Sequence, residues 1–332
     1  MSGEVSCVED RASRTVCVPP GPHHIACDDI LCFESVWTVG ELPAIEAMRT
    51  PTAVWLQLAP GIARIQLFEE PNLEQLLADG VDLAFVYSDT RKLEYYEHAG
   101  IAAIVGQSTS RDATDVAHFL AGQKDSLRLY GRVLGAAAET RAQLWAAYID
   151  DKVAYVTART GRLAPEQRPS AYYLRGPDPL TTHGVRTCPY WYAQLAGVDF
   201  VTGGLEGMVN RTFTSAEQLV RWDPELVFVG RLYSPDLLRR DTRFATLRAV
   251  QHDRVHALPG GIFFWDGGPE AILLMLWIAK TAHPDLFPEL DLTTEVQAYY
   301  QRFYDLKLTP QQLANLLAGQ GPDGQRTVHI RN

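Results

Sequence analysis

The chain has no apolar run long enough to cross a membrane as a helix. Its most apolar stretch, AILLMLWIA at residues 271–279, is too short for this and predicts a buried helix instead. No signal-peptide pattern is found at the start, which reads MSGEVSC, although a leader that had been removed would leave no trace there. These absences argue against an integral helical membrane protein.

Positive charge is also scarce. The 332 residues include 30 Lys and Arg against 40 Asp and Glu, so the formal net charge is −10. Binding to phosphate backbones needs a basic surface, so this balance excludes a general nucleic-acid binder but not a local basic cleft. The length suits two domains, and a hydrophobic fraction of 46% is ordinary for a globular protein.

Sequence motifs typical of enzymes are missing as well. There is no GxxxxGK[ST] loop to hold nucleotide phosphates and no GxSxG turn to carry a nucleophilic serine. The cysteines do not have the spacing that binds iron–sulfur clusters. We therefore expect a protein that is not an enzyme and has no intrinsic cofactor.

Four of the five cysteines lie within the first 32 residues, which is informative in itself. The segment VSCVEDRASRTVCVP predicts two short strands around a polar turn, so that Cys7 faces Cys17. Cys27 and Cys32 flank a single turn, and we predict a disulfide for each pair, as expected in an oxidising compartment. The alternative is a metal site in HHIACDDILC, although its spacing matches no standard zinc pattern.

One unit of sequence occurs twice. NLEQLLADGVDLAFV at residues 72–86 returns as SAEQLVRWDPELVFV at residues 215–229, with identical residues at a constant offset of 143 positions. Each copy predicts a short helix, a turn and a buried strand. The repeat therefore predicts two related lobes.

The order of elements predicts an α/β fold of two Rossmann-like lobes. In the first lobe, HHIACD, TAVWLQLA, VDLAFVY and IAAIVGQ are expected as strands and LPAIEAMR and NLEQLLAD as helices. Residues 115–150 contain no proline and keep apolar residues three to four apart, which predicts one or two long helices. We place the N-terminal lobe at 1–114, a rigid connecting backbone-helix region at 115–168 and the C-terminal lobe at 169–332.

Several stretches together resemble the substrate-binding proteins of ABC importers for siderophores, haem and vitamin B12. The similar segments are VEDRASRTVCVPPGPHHIAC near the start, the two repeat copies, RFATLRAVQHDRVHALPGG, and AKTAHPDLFPELDLTTEVQAYYQRFYDLKLT near the end. They extend over nearly the whole chain. The resemblance implies two lobes joined by one backbone helix, with the ligand held between them.

The resemblance also implies a partner. Members of this class carry an exposed glutamate on each lobe that docks onto arginines of a dimeric membrane permease. The matching positions are Glu74 and Glu217, which occupy the same place in the two repeat copies. The alternative is that each is an ordinary acidic residue in the first turn of a helix.

Loops that follow strands are expected to hold the ligand, because open α/β sheets bind ligands beyond the carboxyl ends of their strands. Most candidates lie in the C-terminal lobe, where arginines and aromatic rings suit an anionic ligand with flat organic parts. The predicted ligand-binding residues are Arg175, His183, Arg186, Tyr190, Trp191, Arg211, Arg231, Tyr233 and Trp265, with Trp37 from the first lobe.

The expected cargo is therefore an anionic metal chelate, such as a ferric–siderophore complex. A metal oxyanion, haem or cobalamin remains the alternative, as does a sensor or adaptor role for the same fold. The loops expected to hold the ligand contain no converging cluster of His and carboxylate residues, so they do not predict a site for a bare metal ion. We expect a monomer that works in the periplasm, or anchored by lipid on the outer face of the membrane.

Overall fold

The structure is a computed structural model that describes residues 6–19, 21–51, 54–87, 90–107, 109–204 and 211–326. The chain divides into two compact units. Unit 1 comprises residues 1–148 and 301–306, and unit 2 comprises residues 149–300 and 307–332. The division lies inside a long helix.

Unit 1 begins with a hairpin and continues as an α/β sheet. The strands are β1 (Ser6–Glu9), β2 (Thr15–Val18), β3 (Ile25–Cys27), β4 (Ile45–Arg49), β5 (Gln66–Phe68), β6 (Leu83–Val86) and β7 (Ala102–Val105). The helices are α1 (Ile30–Thr38), α2 (Leu73–Ala78), α3 (Thr90–His98) and α4 (Val116–Leu134). The next helix, α5 (Ala136–Thr160), passes from unit 1 into unit 2.

Strands β3 to β7 form one parallel sheet in the order β5-β4-β3-β6-β7. The chain adds strands on one side of β3 and then crosses to add β6 and β7 on the other. The side chains of Ala26, Ala84 and Ala103 are buried between this sheet and its helices. The pattern of neighbouring strands places the topological switch point between β3 and β6.

Unit 2 contains β8 (Ser170–Leu174), β9 (Thr181–His183), β10 (Asp199–Phe200), β11 (Arg211–Phe213), β12 (Leu226–Val229) and β13 (Val255–Ala257). Its helices are α6 (Cys188–Leu195), α7 (Ala216–Trp222), α8 (Asp236–Arg239), α9 (Arg248–Gln251), α10 (Ile272–Ala282), α11 (Leu292–Tyr304) and α12 (Pro310–Leu317). The last residues of α11 belong to unit 1.

The sheet of unit 2 has the order β11-β9-β8-β12-β13, with β10 pairing the start of β8. Strands β8, β12 and β13 are parallel, whereas β9 returns antiparallel to β8. In both units the repeated strand, β6 or β12, lies beside the first parallel strand of the sheet. The sequence repeat is therefore a repeat of structure.

The region 115–168, where one or two long helices were expected, contains the two successive helices α4 and α5. Helix α4 ends at Gly135, whose φ of 106° is a conformation that residues with a side chain rarely adopt. Helix α5 then continues for 25 residues, or about 37 Å at 1.5 Å per residue.

Two assignments in the first unit are wrong. LPAIEAMR was predicted as a helix, but Ile45–Arg49 is strand β4, with Ile45, Ala47 and Met48 buried in the sheet. Tertiary packing has overridden the helix propensity of Glu, Ala and Met. Within TAVWLQLA, predicted as a strand, Val54–Leu58 is a 3₁₀ helix that places Trp55 in the interior.

Of the two predicted disulfides, the structure contains one. Cys7 and Cys17 form a disulfide between directly opposite residues of β1 and β2. The predicted Cys27–Cys32 disulfide is wrong, because both are free, buried thiols. Cys27 ends the central strand β3, whereas Cys32 lies in the first turn of α1, and burial raises the pKa of both thiols.

Candidate functional site

The carboxyl edge of the unit 2 sheet has the geometry of a binding site. Strands β8 and β12 are neighbours, and the chain leaves them toward opposite sides of the sheet. Such a switch point opens a crevice beyond the strand ends. Arg175 follows β8 directly, and Arg231 lies two residues beyond the end of β12.

Asp266, in the loop between β13 and α10, organises this edge. Its Oδ2 atom accepts a hydrogen bond of 2.8 Å from Nε of Arg231 and lies 3.4 Å from Nε2 of His183. The Arg231 guanidinium also lies over the ring of Phe264, 5.2 Å from its centroid. We name Tyr173, Arg175, His183, Arg231 and Asp266 the switch-point cluster.

The cluster carries a net positive charge. Burial alone would raise the pKa of Asp266, but Arg231 and the hydrogen bond with His183 lower it to about 2. Burial lowers the pKa of His183, so its imidazole is neutral at neutral pH. Burial and the nearby Arg231 also lower the pKa of Arg175 from its ordinary value, yet guanidinium groups stay charged in proteins. Two guanidinium charges and one carboxylate charge leave one positive charge.

Four buried atoms of the cluster have no hydrogen-bond partner among the residues that the structure describes. They are Oη of Tyr173, Nε of Arg175, Nδ1 of His183 and Oδ1 of Asp266. Buried polar atoms are paired in most proteins, because leaving one unpaired costs about 1–3 kcal/mol. Four such atoms in one cluster at a strand edge therefore indicate a place for a polar ligand.

Tyr233 and Arg211 adjoin the cluster. The ring of Tyr233 lies against Gly176, where an added Cβ would come within 2.2 Å of the ring, so this turn requires glycine. Arg211 lies opposite His183 in the β9–β11 pairing and is exposed, with its guanidinium over the ring of Phe213 at 5.3 Å.

The other predicted aromatic residues of unit 2 lie on α6 or in the interior. Tyr190 is half-buried, accepts a hydrogen bond from Gln194, and packs edge-on against Trp191 with ring centroids 5.2 Å apart. Arg186 precedes this helix and is exposed. The structure thus brings Arg175, His183 and Arg231 together, whereas the described contacts of Tyr190 are with its own helix.

Two of the tryptophans predicted to bind the ligand are buried. Trp265 is 1% exposed and Trp37 is 3% exposed, so neither presents a ring face to a ligand. Nε1 of Trp37 donates to the carbonyl of Tyr304, and the two rings lie 4.6 Å apart. Trp37 therefore packs inside unit 1, against a segment that returns from the far end of the chain.

Sequence reasoning missed Glu270, which anchors the loop that carries Asp266. Its carboxylate accepts a 2.7 Å hydrogen bond from the backbone N–H of Ile262 and another from the hydroxyl of Tyr300. Burial raises the pKa of Glu270 to about 7. Asp266 does not cap the following helix, because α10 begins only at Ile272, after a 3₁₀ turn.

The corresponding edge of the unit 1 sheet has a similar arrangement. Asp28 follows β3 and is fully buried, with Oδ1 2.6 Å from Nε of Arg49 and 3.1 Å from Nζ of Lys92. Arg49 ends β4, and Lys92 lies in the first turns of α3. Here too, two cations surround one buried carboxylate.

The two glutamates of the repeat occupy equivalent positions. Glu74 is the second residue of α2, which Asn72 caps by accepting a hydrogen bond from the N–H of Gln75 at 3.2 Å. Glu217 is the second residue of α7, which Ser215 caps through Gln218 at 3.1 Å. Both glutamates are exposed, so neither is needed as the cap itself.

Searches for other kinds of site gave negative results within the described ranges. No group of three or more His, Cys, Asp or Glu residues there is placed to hold a metal ion. His23 instead pairs with Asp82 at 2.9 Å and His24 with Glu46 at 3.0 Å, so the alternative metal site has no structural support. No described helix is both long enough and apolar enough to span a membrane.

No family model matches the sequence. The chain is 23% identical to the molybdate-binding protein MolA of Haemophilus influenzae over 337 aligned positions, which cover 92% of this chain and 93% of MolA. The crystal structure of MolA bound to molybdate superposes with a TM-score of 0.80 and 21% identity, covering 92% and 99% of the two chains.

Two other solved structures have similar folds. A periplasmic solute-binding protein of Veillonella parvula gives a TM-score of 0.78 with 21% identity, covering 95% of this chain and 97% of that one. A protein of an Fe³⁺-hydroxamate transport system from Saccharomonospora viridis gives 0.61 with 16% identity, covering 83% and 98%. These relatives are named as binding or transport proteins and not as enzymes. This chain has the fold of the periplasmic solute-binding proteins of ABC transporters.

Proposed function

We propose that this chain is the substrate-binding component of an ABC importer and that its cargo is an anionic metal compound. The cargo class comprises metal oxyanions and anionic chelates such as ferric–siderophore complexes. Binding takes place at the switch-point cluster, and the loaded protein then docks on a membrane permease. On this proposal it works outside the cytoplasmic membrane, in the periplasm or lipid-anchored there.

One observation carries the choice of an anion. Nε of Arg175 is buried and has no hydrogen-bond partner among the described residues, while the neighbouring Arg231 is only partly neutralised by Asp266. A guanidinium whose buried N–H lacks an acceptor is stabilised by a negatively charged ligand. The molybdate bound by MolA supports the same ligand class.

The cargo class is tested by binding measurements on the purified protein. The panel contains molybdate, vanadate, an anionic ferric catecholate chelate, cobalamin and free divalent cations, titrated by calorimetry and by tryptophan fluorescence. We expect binding of at least one anionic metal compound and none of the free cations. Tight binding of cobalamin or of a bare cation alone would contradict the proposal. Mass spectrometry of any ligand that co-purifies provides an independent check.

The docking part of the proposal rests on Glu74 and Glu217. Two exposed carboxylates at equivalent positions of two repeated units suit a partner with two equivalent cationic sites. A dimeric permease is such a partner.

A further inference from the structure

The unpartnered atoms of the switch-point cluster include acceptors as well as donors. Nε of Arg175 is able only to donate a hydrogen bond, whereas the hydroxyl of Tyr173 is able to donate and to accept one. Oδ1 of Asp266 belongs to an ionised carboxylate and only accepts. The fourth atom, Nδ1 of His183, depends on which ring nitrogen carries the proton.

The surroundings of His183 decide this point. Nε2 faces the Asp266 carboxylate at 3.4 Å, and a carboxylate favours the tautomer whose N–H points toward it. Burial keeps the ring neutral, so it carries a single N–H. Nδ1 is therefore a lone-pair acceptor, and the cluster presents two unpartnered acceptors beside its cations.

Burial prevents bulk water from freely solvating these acceptors. The side chains of His183 and Asp266 are 4% and 1% exposed, and the edge of the Tyr173 ring packs against the His183 ring at a centroid distance of 4.8 Å. A fully deprotonated oxyanion has only acceptor oxygens, so it would place lone pairs against Nδ1 and Oδ1. An anion that also carries a hydroxyl group can satisfy an acceptor and the arginines together.

We propose that the switch-point cluster selects anions that carry a hydrogen-bond donor next to their negative oxygens, and discriminates against fully deprotonated oxyanions. This inference rests on the proposed function and adds the specificity of the same site. Arg175 and Arg231 supply the attraction for negative charge. His183 and Asp266 supply the acceptors for the ligand's hydrogen.

Vanadate and molybdate form a matched pair of probes. Both are tetrahedral metal oxyanions of similar size, but near neutral pH monomeric vanadate is protonated and singly charged, whereas molybdate is a fully deprotonated dianion. Charge attraction alone would therefore favour molybdate. Each is titrated into the whole protein by calorimetry at pH 7, with vanadate at micromolar concentration to keep it monomeric. We expect vanadate to bind about ten- to a hundredfold more tightly, the factor associated with leaving a buried acceptor unpaired.

Two variants and one control locate the effect. Asp266→Asn replaces a permanent acceptor with an amide that can donate, so the preference for vanadate should shrink or reverse. His183→Ala removes the second acceptor and should also reduce the preference, and it covers the case in which Asp266→Asn does not fold. His252→Ala changes an exposed histidine of the same unit and should leave the preference unchanged.

The outcomes separate the two proposals. Molybdate binding as tightly as vanadate, or more tightly, overturns the selection while leaving the proposed function intact. An unchanged ratio of affinities in folded His183→Ala protein also overturns it. If neither oxyanion binds but an anionic ferric chelate does, chelates with and without hydrogen-bond donors are compared instead. Equal affinity for the two kinds of chelate would also overturn the selection. Failure of every anion overturns both proposals.

Discussion

Asp266 connects the charge and the shape of the candidate site. Its side chain contacts both Arg231 and His183, and it keeps its charge although it is buried. Replacing it therefore changes the folding free energy as well as binding.

The pH dependence of stability tests this role. The pKa of Asp266 in the folded protein, about 2, lies below the ordinary value of 3.8. Asp266 therefore stabilises the fold above pH 4 and loses this stabilising effect as the pH falls through 2. This lowering of the pKa corresponds to about 2 kcal/mol of folding free energy. Urea unfolding should show Asp266→Asn less stable by about this amount at pH 6, with the gap narrowing toward pH 2. A difference in unfolding free energy between parent and variant that stays constant with pH would contradict the lowered pKa of Asp266.

Individual site residues were predictable where a strand end marked them. Arg175 follows the buried strand β8 directly and Arg231 lies two residues beyond the buried strand β12, which is enough to place both at one sheet edge. Tyr173 lies within the strand SAYYL beside a second buried tyrosine, Tyr172, so nothing in the sequence distinguishes its hydroxyl. Trp37 and Trp265 show the opposite error, since an aromatic residue after a strand can equally well fill the core.

At the scale of elements, the N-terminal hairpin is joined to the sheet by polar contacts. The backbone N–H of Arg11 donates to the carbonyl of Val105, and the Arg14 guanidinium donates to the carbonyl of Ala103. These contacts hold β1 and β2 against β7, while the disulfide closes the hairpin itself.

Loss of the disulfide should be measurable. The Cys7→Ser/Cys17→Ser variant should unfold at a lower denaturant concentration than the parent. Its free energy of unfolding should be lower by about 2–3 kcal/mol, the value for a loop of this length. The unfolding curves are compared with and without reductant. Reductant should destabilise the parent and have no further effect on the variant. A parent that is indifferent to reductant would show that the crosslink does not stabilise the fold.

The helices α2 and α7 support the docking proposal at the same scale. Because Asn72 and Ser215 form the caps, Glu74→Gln and Glu217→Gln should fold normally. In proteoliposomes that contain the permease and its ATPase, each should weaken stimulation of ATP hydrolysis by about tenfold, as for loss of a charged contact. The double variant should be inactive.

Glu166→Gln provides the matched control, since Glu166 is exposed and lies outside the repeat. Full stimulation by the double variant would show that the two glutamates are ordinary first-turn residues.

Elements were predicted well where the pattern was long or repeated. The two repeat copies gave α2–β6 and α7–β12 from identical residues at one offset. Strands β5, β9 and β11 have three residues each, too few for a periodic pattern to show. Strand β4 was missed because its residues favour a helix locally, whereas its place beside β3 depends on tertiary contacts.

At the scale of the whole molecule, the division of the chain could not be read from sequence order. Residues 301–306 belong to unit 1 although they follow nearly all of unit 2. Tyr304 holds them there, since its ring packs on Trp37 and its hydroxyl donates to Glu34. Such a return depends on contacts between residues about 270 positions apart.

The whole chain is acidic, yet the proposed cargo is an anion. A net charge of −10 repels anions at long range, so the local positive charge of the switch-point cluster must supply the attraction at short range. This contrast makes Arg175 the most direct point at which to test the account, because its Nε is buried without a described partner.

The decisive measurement is a calorimetric titration of the tightest-binding anion into the parent, Arg175→Ala and Arg186→Ala. Arg186 is the matched control, because it belongs to the same unit but is exposed. The account predicts affinity lower by about ten- to a hundredfold in Arg175→Ala, the value of one desolvated contact with a charged group, and unchanged in Arg186→Ala. Parent-like affinity in folded Arg175→Ala protein would contradict an anion site at the carboxyl edge of this sheet.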